Sequence, residues 1–265
     1  MQPLNANEAW LTTLHEVLTL GTIVAPRGKE TRELLQHTMI VDMNYPVVVE
    51  PTRKLGEKFM VAEALWMLTG DNRVETIAPY NKNISQFSDD GLTFFGAYGP
   101  KIVEQLPYVI NKLKQDRDSR QAGLTLWRES PPETKDVPCT ISMFFNIRNG
   151  QLNMHVFMRS SDVWLGVPYD VFNFSMVAAL VCANLNQRSF EDPVTLGSLY
   201  LTAASRHVYQ ANQAAACDVL GVVSARGTPA SVPVPIDLIT RESTLLSTLV
   251  AVRDGQVPGW WKVVE

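Results

Sequence analysis

The sequence predicts a single α+β domain with a large sheet, and three observations lead to this prediction. The 265 residues are 46% hydrophobic and 19% charged, which is enough apolar surface for a sizeable core. Segments with helical spacing of apolar residues are followed, from QAGLTLWR onward, by segments in which the period shifts towards two. No internal repeat, low-complexity run or linker divides the chain, so we treat residues 1–265 as one domain.

The predicted helices are marked by caps and by apolar spacing. Asn5 precedes EAWLTTLHEVLTLG, an amphipathic segment that should end at Gly21. KLGEKFMVAEALWMLTGD keeps its apolar residues at helical spacing and should stop at Gly70. LPYVINKLKQDRDS predicts another helix, and VFNFSMVAALVCANLNQ is apolar enough for a buried one. Residues 71–99 should be rich in loops.

The predicted strands rest on alternation and on one turn signal. HTMIVDM predicts a strand after a basic loop, APRGKETREL. TISMFFNIRNGQLNMHVFMRS predicts two strands around Asn149-Gly150, a dipeptide that favours a hairpin turn. LGSLYLTAASRHVY predicts a strand that leads into a helix, whereas the C-terminal segment ending in GWWKVVE has no clear assignment.

Charge and cysteine content argue against several classes of function. The net charge of −4 disfavours a general nucleic-acid binder, which needs a basic face. Three separated cysteines without a CxxC pair, and four histidines without HExxH, disfavour a disulfide framework and a metal site. We find no signal-peptide pattern and no apolar stretch of about 18 residues. We therefore expect a protein of the cytoplasm (the host cytoplasm if viral) that does not span a membrane.

Cys139 is the candidate nucleophile because of its surroundings, since a lone cysteine is more often a small buried hydrophobe. It follows Pro138 at the entrance to a predicted strand, and the run RSSDVWLGVPYD begins at Arg159, before a later HVY at His207. Three further motifs lie upstream of RSSDVWLGVPYD: AEALWMLTGD around Glu63, FGAYG with Tyr98, and DSRQ with Arg120.

In this order and spacing, the motifs resemble those of the thymidylate synthase superfamily over roughly residues 5 to 215. The resemblance implies a large mixed β-sheet flanked by helices and a homodimer packed through that sheet. It also implies 5,10-methylenetetrahydrofolate as co-substrate, no metal, and attack by Cys139 on C6 of a pyrimidine nucleoside monophosphate. The chemistry agrees, because C5 cannot take up a one-carbon unit until a thiolate has added to C6.

The resemblance assigns the nucleotide phosphate to a group of arginines. Arg159 and Ser160 would hold the 5′-phosphate, and Arg120 would reach in from the partner subunit. Arg27 in PRGKET would be the N-terminal phosphate arginine, offset by about one position from the family pattern.

The remaining roles concern the sugar, the base and the folate. His207 and Tyr209 would bind the sugar 3′-hydroxyl. Glu63 and Tyr98 would organise water and proton transfers near C4 and C5. Two residues would contact the folate: Asp162, at the pterin ring, and Phe87, in the loop before Tyr98.

Asp170 indicates a cytosine nucleotide. Thymidylate synthases have asparagine at the matching position, and its amide accepts from uracil N3–H and donates to O4. An aspartate can accept from the cytosine 4-amino group and share a proton with N3, whereas an ionised aspartate would repel uracil O4. Thr140 stands where synthases have histidine, and the pair of departures resembles phage-type deoxycytidylate hydroxymethylases.

The sequence therefore predicts transfer of a one-carbon unit to C5 of a cytosine nucleotide, dCMP rather than CMP, followed by hydration to a 5-hydroxymethyl group. The loop NISQFSDDGLTFFGAYG lacks the tryptophan that synthases place near the folate, which is compatible with hydration. Two alternatives stay open. One is a thymidylate synthase acting on dUMP, or a dCMP C5-methylase, with hydride transfer from folate. The other is an inactive nucleotide-binding homologue.

Overall fold

One mixed β-sheet organises the fold. The protein was analysed as a computed structural model that describes residues 2–187 and 192–256. The strands in these residues are β1 (Thr22–Val24), β2 (Thr31–Asp42), β3 (Gly123–Thr125), β4 (Thr140–Arg148), β5 (Gln151–Met158), β6 (Ser161–Asp162) and β7 (Thr195–Tyr209). The helices are α1 (Ala6–Leu20), α2 (Glu57–Leu68), α3 (Val74–Ile77), α4 (Tyr98–Gln115), α5 (Val167–Asn186), α6 (Gln210–Arg226) and α7 (Glu242–Arg253).

The sheet order is β1-β2-β7-β5-β4-β3, and β6 pairs with β7. β7 runs parallel to β5 and β6 and antiparallel to β2, while the other pairs are antiparallel. The predicted α+β fold with a large mixed sheet and flanking helices is thus confirmed. At the predicted hairpin, Asn149 (φ 53°) and Gly150 (φ 74°) both adopt the left-handed conformation that a tight two-residue turn requires.

α5 is the central helix and is buried along most of its length. It is apolar because it packs between the sheet and α2, not because it faces lipid. By length and composition it could cross a membrane, contrary to our expectation that the sequence holds no such segment. However, 83% of its apolar window is buried inside the protein, as in the core helix of a globular domain.

The N-terminal helix anchors the segment that leads into α5. Asn5 and Glu8 form the reciprocal capping box that starts α1. One turn later the fully buried Trp10 donates from Nε1 to the Val163 carbonyl at 2.7 Å, and its ring lies 6.0 Å from that of Trp164. Burial of this large side chain therefore fixes the turn between β6 and α5.

Some elements differ from the predictions. β2 begins at Thr31 because TREL pairs with the end of β7, so the predicted basic loop is shorter. α4 begins at Tyr98 and carries Pro107 inside it, whereas the sequence predicts a start near Leu106. The unassigned C-terminal segment contains α7, which packs on α2, and GWWKVVE falls in residues 259–265, outside the described residues.

Substitution of Gly197 tests the close contact between β5 and β7. A Cβ at this position would lie 2.7 Å from Asn153 Oδ1 and 3.0 Å from the Leu152 carbonyl oxygen. We expect Gly197→Ala to destabilise the protein by about 1–3 kcal/mol because the neighbouring strand must move. Gly221→Ala is the control, since nothing lies near it on α6 and alanine favours a helix by about 0.5–1 kcal/mol. Urea denaturation measures both, and equal effects would contradict the close packing.

Candidate active site

A cleft beside α2 and α5 brings together the four residues for which the sequence predicts a catalytic role. Cys139, Glu63, Tyr98 and Asp170 all line it. Phe87 lies in its wall with 47% of its surface exposed, which places a free aromatic ring at the mouth. A thiol, two carboxyl groups and a phenol therefore share one cleft, although they come from four different parts of the chain.

Arg159 stabilises the segment that contains Cys139 and leads into β4. Its guanidinium donates to the carbonyls of Val137 (2.8 Å) and Pro138 (3.0 Å), and Nη2 lies 3.6 Å from Cys139 Sγ. Its backbone N–H donates to the Cys139 carbonyl at 2.8 Å. The arginine assigned to the phosphate thus also orients the thiol.

Opposing charges act on the thiol. Burial raises the pKa of Cys139, and the positive charges of Arg159 and Arg27 partly offset that rise. Asp170 and Asp136 raise the pKa further because an anion disfavours a thiolate nearby. Burial and the two carboxyl groups therefore favour the neutral thiol, and the two arginines oppose them.

Glu63 is a partly buried acid whose carboxyl group has an amide partner. Burial, and secondly the charge of Asp170, raise its pKa to about 8, so it carries a proton at neutral pH. Asn173 donates from Nδ2 to Glu63 Oε2 at 2.6 Å, and the buried Oδ1 of Asn173 has no hydrogen-bond partner. Sequence reasoning missed Asn173; the signal was a polar residue one turn after Asp170 in an apolar helix.

Asp170 lies in the first turn of α5, and its carboxyl group lies against Gly166 in the preceding turn. A Cβ at Gly166 would lie 3.2 Å from Asp170 Oδ2, so this carboxyl packs closely against the glycine. Burial raises the pKa of Asp170 to about 6, Arg206 opposes that rise, and Asp162 adds to it. The residue expected to recognise the base is therefore a carboxyl that exchanges its proton close to neutrality.

Tyr98, in the first turn of α4, contacts the start of β4 next to Cys139. Its hydroxyl accepts from the Thr140 backbone N–H at 3.1 Å. Burial raises the pKa of Tyr98, so the phenol stays protonated and can donate. The Thr140 side chain is also buried, and its Oγ1 has no partner.

The sugar-binding and pterin-binding candidates lie side by side. Asp162 Oδ1 accepts from the N–H groups of Trp164 (2.8 Å) and Leu165 (2.9 Å), and Oδ2 lies 4.0 Å from His207 Nε2. The His207 and Tyr209 rings meet edge to face at 5.1 Å. Asp162 thus closes a turn and does not line the Cys139 cleft, so its contact with a pterin stays a prediction.

The other phosphate candidates are more dispersed. Ser160 is half-buried directly after Arg159, and Arg27 sits in the short helix Pro26–Gly28 with φ 54°. Arg120 is exposed in the turn that follows α4 and does not line the Cys139 cleft of its own chain. Its phosphate role would require a second subunit.

A thiol, two carboxyl groups and a phenol thus share one cleft in a domain built on a single mixed sheet. The family described as thymidylate synthase matches residues 8–221, and the chain belongs to it. The confirmed resemblance includes the hydroxymethylase branch, because relatives carry that name.

Two phage proteins show this relation. The deoxyuridylate hydroxymethyltransferase of Bacillus phage SP01 is 31% identical over 225 residues, which cover 76% of this chain and 56% of the relative. The deoxyuridylate hydroxymethyltransferase of Pseudomonas phage M6 is 34% identical over 162 residues, which cover 57% of this chain and 44% of the relative. The chain thus spans about half the length of these relatives.

The protonation of Glu63 can be measured through stability. The pKa of about 8 means that the folded protein keeps a proton that the unfolded chain loses near 4.5. This group therefore stabilises the fold less and less as the pH rises between those values. Because glutamine does not titrate, we expect the Tm of Glu63→Gln minus that of the wild type to increase from about pH 5 to about pH 8.5.

Glu129→Gln is the matched control, because it removes one negative charge from an exposed loop. Differential scanning fluorimetry across the pH range gives both differences. A Glu63→Gln difference that tracks that of Glu129→Gln would contradict a partly buried, protonated Glu63.

Proposed function

We propose that the protein transfers a one-carbon unit from 5,10-methylenetetrahydrofolate to C5 of dCMP and completes the reaction by hydration, giving 5-hydroxymethyl-dCMP. The observation that carries the proposal is the cleft in which Cys139 faces two partly buried acids of raised pKa, Glu63 and Asp170. Membership of the thymidylate synthase family and the hydroxymethyltransferase names of the relatives support the reaction class.

The first step needs a thiolate at Cys139. Arg159 lies 3.6 Å from the sulfur and can stabilise its negative charge while it also contacts the nucleotide phosphate. Addition of the thiolate to C6 breaks the C5–C6 double bond and makes C5 enamine-like. Tyr98, held as a neutral phenol beside Thr140, can then donate a hydrogen bond to a water molecule near C5 and orient it for the proton transfers there.

Asp170 supports cytosine as the base. Its carboxyl can accept from the 4-amino group through one oxygen and share a proton with N3 through the other. A pKa of about 6 suits such sharing, since the group can hold or release its proton near neutrality. Ionised Asp170 would face uracil O4 with like charge, and the resulting unpaired contact would reduce binding of dUMP.

Uracil is the second candidate base, because both phage relatives are named deoxyuridylate hydroxymethyltransferase. A protonated Asp170 would present one donor and one acceptor, as an asparagine amide does, and could then pair with uracil. The choice between the two bases therefore depends on the charge of one carboxyl group.

The folate supplies the one-carbon unit when it is bound, and the cleft has the walls that a flat aromatic ligand needs. Trp66 and Phe94 meet edge to face at 5.6 Å, and Phe87 is exposed nearby. Glu63, which carries a proton near neutrality and is oriented by Asn173, would hold the water that adds in the last step.

We also propose a homodimer that packs through the sheet. The sheet face opposite α5 carries aromatic side chains that the fold leaves exposed, Phe144 at 43% and Phe157 at 46%. Beside them His155 stacks on Tyr200 at 4.7 Å between centroids. A two-fold symmetric contact would cover this patch and would allow Arg120 to reach the partner's phosphate.

Product mass tests the proposed reaction. With dCMP and methylenetetrahydrofolate we expect a nucleotide that gains CH2O, without the rise in absorbance that dihydrofolate formation gives. Cys139→Ser should abolish release of tritium from C5, because the covalent adduct cannot form. A product that gains CH2, or a Cys139→Ser variant that retains exchange, would contradict the proposal.

Asp170→Asn tests the specificity. We expect the ratio of kcat/KM for dCMP to that for dUMP to fall by about 100-fold or more, because an amide matches uracil instead. Gly221→Ala, far from the cleft, is the control for preparation and assay. A wild-type enzyme that prefers dUMP would establish the second candidate.

Mixed dimers test the role of Arg120. Arg120→Ala and Cys139→Ser variants should each be inactive, but random mixing should restore about a quarter of the wild-type active sites if Arg120 acts across the interface. Mixing Arg159→Ala with Cys139→Ser is the control, since both residues belong to one subunit's site and no intact site forms. No recovery in the first mixture would place Arg120 outside the site.

A further inference from the structure

Asp136 provides a third carboxyl group in the wall of the cleft, and the steps of the proposed reaction leave it without a role. We infer that Asp136 is the catalytic base that takes a proton from the water molecule adding to the nucleotide in the last step. The inference rests on the proposed hydration and deepens it. Asp136 lies three residues before Cys139, so the nucleophile and the proposed base belong to one short segment of the chain.

The carboxyl group of Asp136 is half-buried and has one oxygen free to accept. Its Oδ2 accepts from the Gly96 N–H at 2.7 Å, whereas no donor among the described residues bonds to Oδ1. Nor does any lysine, arginine or histidine of residues 2–187 and 192–256 lie within 4.0 Å of this carboxyl group. Asp136 therefore does not serve an ion pair, and Oδ1 can accept a proton from a molecule in the cleft.

Contacts on both sides hold the Asp136 backbone in place. Its N–H donates to Thr134 Oγ1 at 3.1 Å. Arg159 donates to the carbonyls of the next two residues at 2.8 and 3.0 Å. A Cβ on Gly96 would clash with the Asp136 carbonyl oxygen, so the two segments pack closely. A backbone fixed in this way limits the rearrangement that a proton transfer to the carboxyl group would require.

The other ionisable groups in the wall of the cleft are not free to take this proton. Glu63 already carries a proton near neutrality, and the phenol of Tyr98 is neutral. In the proposed reaction the sulfur of Cys139 is bonded to C6, and Asp170 contacts the base. The remaining side chains that line the cleft do not accept protons at neutral pH. Asp136 is therefore the lining residue that can act as the base.

The charge of Asp136 opposes the first step of the reaction but suits the last. Asp136 raises the pKa of Cys139 and so disfavours the thiolate. Burial raises the pKa of Asp136 itself; the Gly96 N–H opposes that rise, and the nearby Asp89 adds to it. A carboxylate of raised pKa is the stronger base, which favours proton transfer from water.

The proposed step balances without a further reactant. The water oxygen bonds to the methylene carbon on C5, the electron pair of that double bond moves into the ring towards C4, and the water proton passes to Asp136 Oδ1. The electron pair then returns, so that the C5–C6 double bond forms and the C6–S bond breaks. Cys139 leaves as a thiolate, and Asp136 releases its proton to solvent.

Asp136→Asn tests the inference, because the amide oxygen can still accept from Gly96 but cannot serve as a base. In single turnovers with C5-tritiated nucleotide and methylenetetrahydrofolate, we expect the 5-hydroxymethyl product to form about 100-fold more slowly than in the wild type. Release of tritium should be as fast or faster, because loss of a negative charge favours the Cys139 thiolate. An added small thiol should capture the accumulated methylene group as a thioether, since it ionises in solution.

Glu133→Gln is the matched control, because it removes one negative charge from an exposed position of the same segment and should change neither rate. If Asp136→Asn folds poorly, Asp136→Ala replaces it. Formate should then restore the hydroxymethyl product, whereas formamide, which has a similar shape but is not basic, should not. Unchanged product formation in Asp136→Asn, a parallel loss of tritium release and product, or equal effects of formate and formamide would overturn the inference.

The product of the wild type separates this inference from the proposed function. If the wild type hydroxymethylates dUMP instead of dCMP, the proposed substrate is refuted, and the same comparison of Asp136→Asn with wild type is made on dUMP. If the wild type adds only CH2, or leaves both nucleotides unchanged, hydration is refuted and the inference with it. A wild type that gives the CH2O product beside an equally fast Asp136→Asn would refute the inference alone.

Discussion

Two opposing effects act on the Cys139 thiol: burial and nearby carboxyl groups favour its neutral form, and nearby arginines favour the thiolate. Covalent attack on a pyrimidine ring requires a thiolate, yet burial and the carboxyls of Asp170 and Asp136 favour the neutral thiol. Only positive charge can reverse that balance. In this protein Arg159 provides it from beside the sulfur, and the dianionic phosphate of a nucleotide would compete for the same guanidinium. In the proposed reaction, substrate binding and activation of the Cys139 thiol would therefore be coupled through one side chain.

Burial and nearby charge also explain why the two acids of the cleft, Glu63 and Asp170, differ in pKa. Glu63 has an amide as its partner and holds its proton at neutral pH, whereas Asp170 has a buried arginine nearby and titrates about two pH units lower than Glu63. Two carboxyl groups in one cleft thus acquire different protonation states. Such a separation is what general acid–base chemistry and base recognition need from neighbouring groups.

The turn between β6 and α5 connects these effects to the rest of the molecule. Trp10 fixes it from α1 through the Val163 carbonyl, Asp162 closes it internally, and Gly166 leaves room for the Asp170 carboxyl. The position of Asp170, which we propose to recognise the base, therefore depends on core packing. This arrangement also shows how a member of this family, with relatives named for deoxyuridylate, could change its base by altering buried charge around an unchanged nucleophile.

The sequence by itself determined the fold class, the family, and the set of residues that share the cleft with Cys139. Local signals sufficed for the capped α1, the Asn149-Gly150 hairpin and the buried α5, because caps, turns and apolar spacing act over a few residues. Ordered motifs sufficed to predict that Glu63, Tyr98 and Asp170 lie together, because the resemblance to a family carries the arrangement of its motifs with it.

Only the tertiary structure decided which charges face each other. Arg206 carried no local signal of function, and Asn173 carried only that of a polar residue in an apolar helix, since a buried polar residue acquires its role from the partner that the fold brings to it. The early start of α4 at Tyr98 and the packing of α7 on α2 were likewise set by long-range contacts. Burial and distance set the pKa values of Glu63 and Asp170, and both quantities exist only once the chain is folded.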